Sequence, residues 1–381
     1  MAKPRELEYG FADRAWQVVT GCDNTISCWK RCWAARTVNR LAASPNAKVA
    51  AAHDGLVRIA GPVDKQVLAW TGVVRINEAH LNDPRKWRNP AIIATGFHGD
   101  WGLLSDADKD RMFAVMARCQ QHTFFPLTKH RLPDLARYLW AKHGHFSLEY
   151  EPGCSVSRLL PFDNVNIGVS VMAQADADFA LPHIRAIAAM GWKVHCWHEP
   201  ATGPIDWDGW QFLSLLIQGG ESGPSARPMH PQWARDTRDW CVKNSVAYRF
   251  KQWGEWTPRA PGYPGHQPTM RLTALGRNGQ NLANSGDGND VWMQRTGKKL
   301  AGHLLDGQEW KQMPGCADKK PCPGCGQVDR SRKADEVCSA CSAAIQGWDT
   351  HVESLRVQAT AGECDVEAGT LPCAHVCAQE R

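Results

Sequence analysis

Short apolar runs of β-forming residues recur along the chain, separated by stretches with helical spacing. The runs are Trp16–Thr20, Ala91–Phe97, Thr123–Thr128, Val165–Val171, Lys193–Trp197, Leu213–Gln218 and Val246–Lys251. Between them, apolar residues at helical intervals predict helices over Asp106–Gln121, Leu132–His143, Phe179–Met190 and Pro231–Asn244. Alternation of strand and helix predicts an α/β fold with parallel strands, and this many units suits a complete or partial TIM-type (β/α) barrel. An open doubly wound sheet is the alternative.

Polar and Gly-rich clusters follow these runs almost without exception: GCDNTISC, FHGDWG, TKH, HEP, GGESG and QWGEW. In a parallel barrel such loops gather at one rim, where active sites form. After Trp256 the periodicity ends. The expected organisation is a barrel over 1–256, a linker and closing segment over 257–315, a zinc-ribbon-like module over 316–345, and a tail over 346–381.

Composition changes the picture at two points. The 381 residues include 15 cysteines, which in an intracellular protein read as metal ligands before disulfides. There are also 18 tryptophans against 5 tyrosines, enough for some to line a groove that stacks rings. The net charge of +5 permits a nucleic-acid partner without demonstrating one. No apolar run approaches membrane-spanning length and the first residues carry no apolar signal core, so a cytoplasmic protein without membrane association is expected.

Cys22, Cys28 and Cys32 fall within eleven residues directly after the first predicted strand. Thiolates suit zinc or iron–sulfur clusters, and three of them would leave one iron of a [4Fe–4S] cluster open to a small ligand. A zinc site completed by a distant ligand is the competing reading. Cys322, Cys325, Cys338 and Cys341 form two Cys-x2-Cys knuckles, the arrangement of a closed structural Zn2+ site. Cys364, Cys373 and Cys377 admit either another zinc site or a loose tail.

Among the post-strand residues, Gly219, Gly220, Glu221 and Ser222 could admit a cofactor to the backbone, and Ser170 is placed similarly. Lys129 and Glu199 end strands and are candidate catalytic or substrate contacts, with His130 beside the former. Arg227 and His230 suit either a phosphate contact or a loop-pinning salt bridge. Lys251, Gln252, Trp253 and Glu255 form a further group. Trp253 and Trp101 are candidate platforms for an extruded base.

The segments TGCDNTISCWKRCWAARTVNRL (20–41), TGVVRINEAHLNDPRKWRNP (71–90), HTFFPLTKH (122–130), IQGGESGPSARPMHPQWARDTRDWC (217–241), FKQWGEW (250–256) and GKKLAGHLLDGQEW (297–310) together resemble a bacteriophage family of radical S-adenosylmethionine (SAM)-like proteins. The resemblance runs from about Trp16 to Pro314. It implies a [4Fe–4S] cluster on the first three cysteines, SAM as cofactor, and a host electron donor such as flavodoxin. It also implies phage DNA carrying modified thymidine as substrate, in the host cytoplasm. The reaction implied is isomerisation of an N-linked glycyl-thymidine to the Cα-linked form, a hypermodification that protects DNA from host restriction. The chain departs from the family in its Cys-x5-Cys-x3-Cys spacing, where Cys-x6-Cys-x2-Cys is usual, and in its ATGFHGDWG stretch. Two other readings stay open: a zinc-dependent DNA-binding or adaptor protein without radical chemistry, and a radical SAM enzyme acting on tRNA or a small molecule.

Overall fold

The computed structural model describes residues 11–24, 32–62, 66–129, 131–143, 145–151, 154–258, 269–272 and 291–314. The chain divides into two compact units, Met1–Gly168 and Val169–Arg381.

The first unit opens with β1 (Arg14–Trp16) and β2 (Val19–Thr20), followed by α1 (Trp33–Ala42), α2 (Ala47–His53) and the hairpin β3 (Val57–Ala60) and β4 (Val67–Trp70). β5 (Arg75–Ile76) pairs antiparallel with β2. Two short helices, α3 (Glu78–Leu81) and α4 (Asp83–Lys86), lead into β6 (Ile92–Thr95). α5 (Asp106–Arg118), β7 (Thr123–Thr128) and α6 (Leu132–Ala141) follow, then the hairpin β8 (His145–Glu151) and β9 (Cys154–Leu159).

β6 pairs in parallel with β1 and with β7, bringing Ala94 opposite both Ala15 and Phe125. Phe124 bridges Val165 in parallel at the entry to β10 (Asn166–Val171), the strand within which the two units meet in sequence. Ile93 and Phe124 are fully buried, and α5 contributes Met112, Phe113, Val115 and Met116 to the core. α5 starts where it does because Ser105 accepts the amide of Asp108 at 3.1 Å, an N-cap that supplies a donor's missing partner.

The second unit continues with α7 (Gln174–Ala189), β11 (Lys193–His198), β12 (Leu215–Gly219), α8 (Pro231–Lys243) and β13 (Ala247–Gln252). β12 pairs in parallel with β11 and β13. β14 (Trp256–Pro258), β15 (Thr269–Leu272) and β16 (Val291–Arg295) form an antiparallel sheet with β16 in the middle. This sheet falls in the segment expected to close the barrel. α8 begins on Pro231, whose missing N–H costs nothing at a helix start, and His230 Nδ1 caps it by accepting the amide of Gln232 at 3.1 Å. A buried chain of hydrogen bonds holds the strand interior. Tyr248 donates to Gln218 Oε1 at 2.8 Å, Gln218 Nε2 lies 3.1 Å from His198 Nδ1, and His198 Nε2 lies 3.2 Å from the Met172 carbonyl. With Nδ1 accepting from the amide, His198 carries its proton on Nε2.

The architecture is α/β with parallel strands, as the alternation predicts. No helix among the described residues is long and apolar enough to cross a membrane. Cys28, His130 and all of 315–381 lie outside the described residues, and with them the two Cys-x2-Cys knuckles and Cys364, Cys373 and Cys377.

Candidate functional site

Each unit presents one cluster at the carboxyl ends of its strands. In the first unit the cluster is built around Gly21, Cys22 and Cys32. Gly21 has φ +98°, and a Cβ there would lie 2.0 Å from the Val73 carbonyl oxygen. Only glycine fits that close approach. It forms a parallel bridge with Gly99, with the Gly21 amide donating to the His98 carbonyl at 3.1 Å and the Asp100 amide donating to the Gly21 carbonyl at 3.0 Å. Three residues on, Asn24 uses its side-chain amide as a strand would. Nδ2 donates to the Trp70 carbonyl at 2.6 Å and Oδ1 accepts the Trp70 amide at 2.9 Å. The Gly72 amide donates to the Cys22 carbonyl at 3.2 Å. Backbone on both sides of Cys22 is therefore fixed.

Cys22 and Cys32 are both half-buried, and both pack against one apolar cluster of Ala34, Ala35, Val38, Leu56 and Trp70. Cys32 is the N-cap of α1, and its side chain makes no capping hydrogen bond. Two thiols brought to one apolar patch at a helix start are a donor set that fits a soft metal centre. Among the described residues, no three His, Cys, Asp or Glu side chains are grouped to hold an ion; the third thiol of the motif, on Cys28, is outside them.

His98 lies beside this patch, its ring 6.3 Å from Trp33 and 6.0 Å from His53. Burial, reinforced by the charges of His53 and Arg40, pulls its pKa down to about 4, so it is a neutral imidazole at physiological pH. Asp100 ties the next loop together. It accepts Thr128 Oγ1 at 2.5 Å, the Lys129 amide at 2.7 Å and the Gly102 amide at 2.9 Å. The position of Lys129 at the end of β7 is thus set through its backbone by a buried carboxylate. Trp101, expected as a stacking platform, is fully buried and packs on Phe113 at 6.1 Å. It is core, because the loop turns inward immediately after Asp100.

A cavity of about 650 Å3 opens within this unit from Asp23 and Gly72 to the loops that follow β6 and β7. Its charged lining (Lys109, Arg131 and Arg137 against acidic neighbours) escaped the sequence reading, which stopped at Lys129 and His130. The available signal was a further Arg in the same post-strand loop.

In the second unit, Glu199 and Lys251 form a buried pair at the ends of β11 and β13. Lys251 Nζ donates to both carboxylate oxygens at 2.6 and 2.8 Å, each side chain being 13% exposed, and sits 5.0 Å from the Trp197 ring centre. Gln252 Nε2 approaches Glu199 Oε1 at 3.4 Å and donates to Ser222 Oγ at 3.0 Å, while Ser170 Oγ lies 3.4 Å from the Glu199 carbonyl. The structure thus brings together Ser170, Glu199, Gly219, Gly220 and Ser222, and adds Lys251 and Gln252 to them.

Glu221 is engaged differently. Arg227 donates to it through Nε at 2.8 Å, Nη2 at 3.0 Å and its own backbone amide at 2.8 Å, which makes the pair a loop clasp. The glycines have a reason of their own: a Cβ on Gly220 would lie 2.0 Å from the Trp253 carbonyl oxygen, and one on Gly254 2.1 Å from that of Glu221. Close packing of two backbones accounts for them. Trp253 is buried with Nε1 donating to the Leu304 carbonyl at 2.8 Å, and Trp256 donates to the Ala226 carbonyl at 2.8 Å. Both are anchors of the loop and neither is a platform.

These features define an α/β protein with parallel strands whose strand-end loops carry a fixed cysteine segment in one unit and a buried ion-pair cluster in the other. The chain belongs to the family described as "Protein of unknown function (DUF5131)", whose model matches residues 7–314. No curated protein and no solved structure matches it.

Proposed function

We propose that this chain is a radical SAM enzyme that modifies a nucleobase in phage DNA, with the isomerisation of a glycyl-thymidine as the leading reaction and the strand order as that of a partial TIM-type barrel. Its [4Fe–4S] cluster is held by Cys22, Cys28 and Cys32. The carrying observation is the convergence of Cys22 and Cys32 on one apolar patch, on a loop whose backbone is held from both sides and whose Asp23, next to Cys22, lines a cavity large enough for a small ligand. When bound, such a cluster keeps one iron for the amino and carboxylate groups of SAM and supplies the electron that splits it.

The chain's own residues do the remaining work. Asn24 and Gly21 hold the segment that presents Cys22, the Ala34–Trp70 cluster shields the thiols on one side, and Asp100 fixes the loop that borders the cavity. In the second unit, the paired Glu199 and Lys251 set a neutral polar surface with Ser222 and Gln252 at hand for a ligand's hydroxyls. The zinc-dependent adaptor reading draws support from that same self-pairing, since a cluster whose charges are already matched has no need of a ligand. In this proposal the knuckles Cys322, Cys325, Cys338 and Cys341 hold a structural Zn2+.

Anaerobic reconstitution decides between them. The expected result is brown protein with about four irons bound to the first three cysteines, which forms 5′-deoxyadenosine from SAM on reduction. Cys22→Ala and Cys32→Ala should each abolish that product. Colourless protein carrying only zinc, or an intact reduced cluster that leaves SAM whole in the presence of modified DNA, would sink the proposal. Mass spectrometry of phage nucleosides with and without the gene separates DNA from tRNA or a small molecule as substrate.

A further inference from the structure

The cavity in the first unit is lined by three acids, Asp23, Asp106 and Asp134, and three bases, Lys109, Arg131 and Arg137. They are not equally committed. Lys109 is 3% exposed, donates to the Leu104 carbonyl at 2.7 Å and to Asp106 at 3.3 Å, and lies 5.4 Å from the Tyr138 ring centre. It is a structural cation that already neutralises Asp106. The two arginines are held loosely. Arg131 reaches Asp134 at 3.2 Å and Arg137 reaches Asp106 at 3.6 Å, with the guanidinium side chains 59% and 57% exposed. Exposed pairs of this kind contribute at most about 1 kcal/mol, so little holds either arginine against an anionic ligand.

A second observation is independent of charge. Arg131 has φ +52°, in the left-handed region, at the N-cap of α6 and without a side-chain capping bond. Glycine would occupy that backbone at lower cost, so the strain is carried by the residue whose side chain lines the cavity. The first turn of α6 is left without a side-chain cap at the same place.

We propose that this cavity takes the phosphate group of a nucleotide, with Arg131 and Arg137 as its two contacts. Planar guanidinium groups match phosphate oxygens in pairs, which a lysine cannot do. The inference rests on the nucleic-acid reading above and names the part of the substrate that this unit holds.

The test is fluorescence anisotropy of the full chain with a labelled single-stranded oligothymidylate, together with thermal melting. Arg131→Gly should melt at the same or a higher temperature, because strain is relieved, yet bind about fivefold or more weakly through loss of a phosphate contact. Arg137→Gln should weaken binding similarly, and each substitution should lower the salt dependence of log affinity by about 0.7. Thymidine monophosphate should compete where thymidine does not. Unchanged affinity in the folded double variant, or equal competition by thymidine, overturns the assignment. Iron content and SAM cleavage are scored on the same preparations. Failure of the radical chemistry therefore reads out separately from failure of phosphate binding.

Discussion

The two strand-end clusters begin from the same kind of sequence, a post-strand loop rich in Gly and polar residues, and end in opposite states. In the second unit the charges answer one another: Glu199 with Lys251, and Glu221 with Arg227. In the first unit Asn24 and Asp100 spend most of their hydrogen bonds on backbone, and the side chains with reactive or binding potential stand on what that backbone holds. Position after a strand nominates a residue for chemistry. Whether its partners come from the fold itself separates scaffold from site.

The sharpest way to break this comparison is to unbalance the second cluster. Lys251→Met strands a carboxylate with little solvent and should cost about 3 kcal/mol in chemical denaturation, whereas the Glu199→Gln/Lys251→Met double variant should recover most of it. A neutral single variant would show that the pair is a poised site after all.

The next effect concerns the first unit and pH. His98 has a folded-state pKa of about 4 against an ordinary 6.5, so between those values the unfolded chain binds a proton that the folded chain refuses. Stability from this residue is complete above the upper value and declines as pH falls toward the lower. The loss should be on the order of 2–3 kcal/mol. Replacing it, as His98→Phe, should flatten the dependence in that window, and an unaltered slope would show that burial of this imidazole is not its cause.

The smallest effect sharpens the contrast by loosening the cysteine segment alone. Asn24→Ala removes two hydrogen bonds to Trp70 and should cost about 1 kcal/mol. Hydrogen exchange should quicken at the Trp70 amide while the amides of β12 and β13 keep their protection.

How much of this was legible beforehand varied with the physics of each segment. Thr123–Thr128 was read residue for residue, because six contiguous apolar or β-branched positions leave one solution. The run at Trp16–Thr20 reads as one strand and is two, with β1 ending at Trp16 and β2 pairing elsewhere with β5. Apolar content alone does not show where a strand changes partner. α7 starts at Gln174, five residues before its expected start, since its first turn is polar and alanine-rich and Pro182 sits inside it. α1 and α2 went unread, and α1 packs only Ala34, Ala35 and Val38 inward. In the candidate sites, Ser170, Glu199, Gly219, Gly220 and Ser222 were nominated from position and do meet. The partner that defines them, Lys251, stands out in the sequence only as one of a post-strand group. Arg131 goes unread because a charge three residues past a strand end looks like any solvated arginine until its backbone angle is known.

The contact between Gly21 and Gly99 carries one more consequence. A methyl group on Gly99 would come within 2.7 Å of the Gly21 carbonyl oxygen, so the chain has no slack there. The cysteine loop and the loop of His98 and Asp100 behave as one lever, and a push on either is felt at the other. Insertions that would retune one loop alone are shut out, and new specificity in this unit has to arise farther along, where the walls are side chains that can swing.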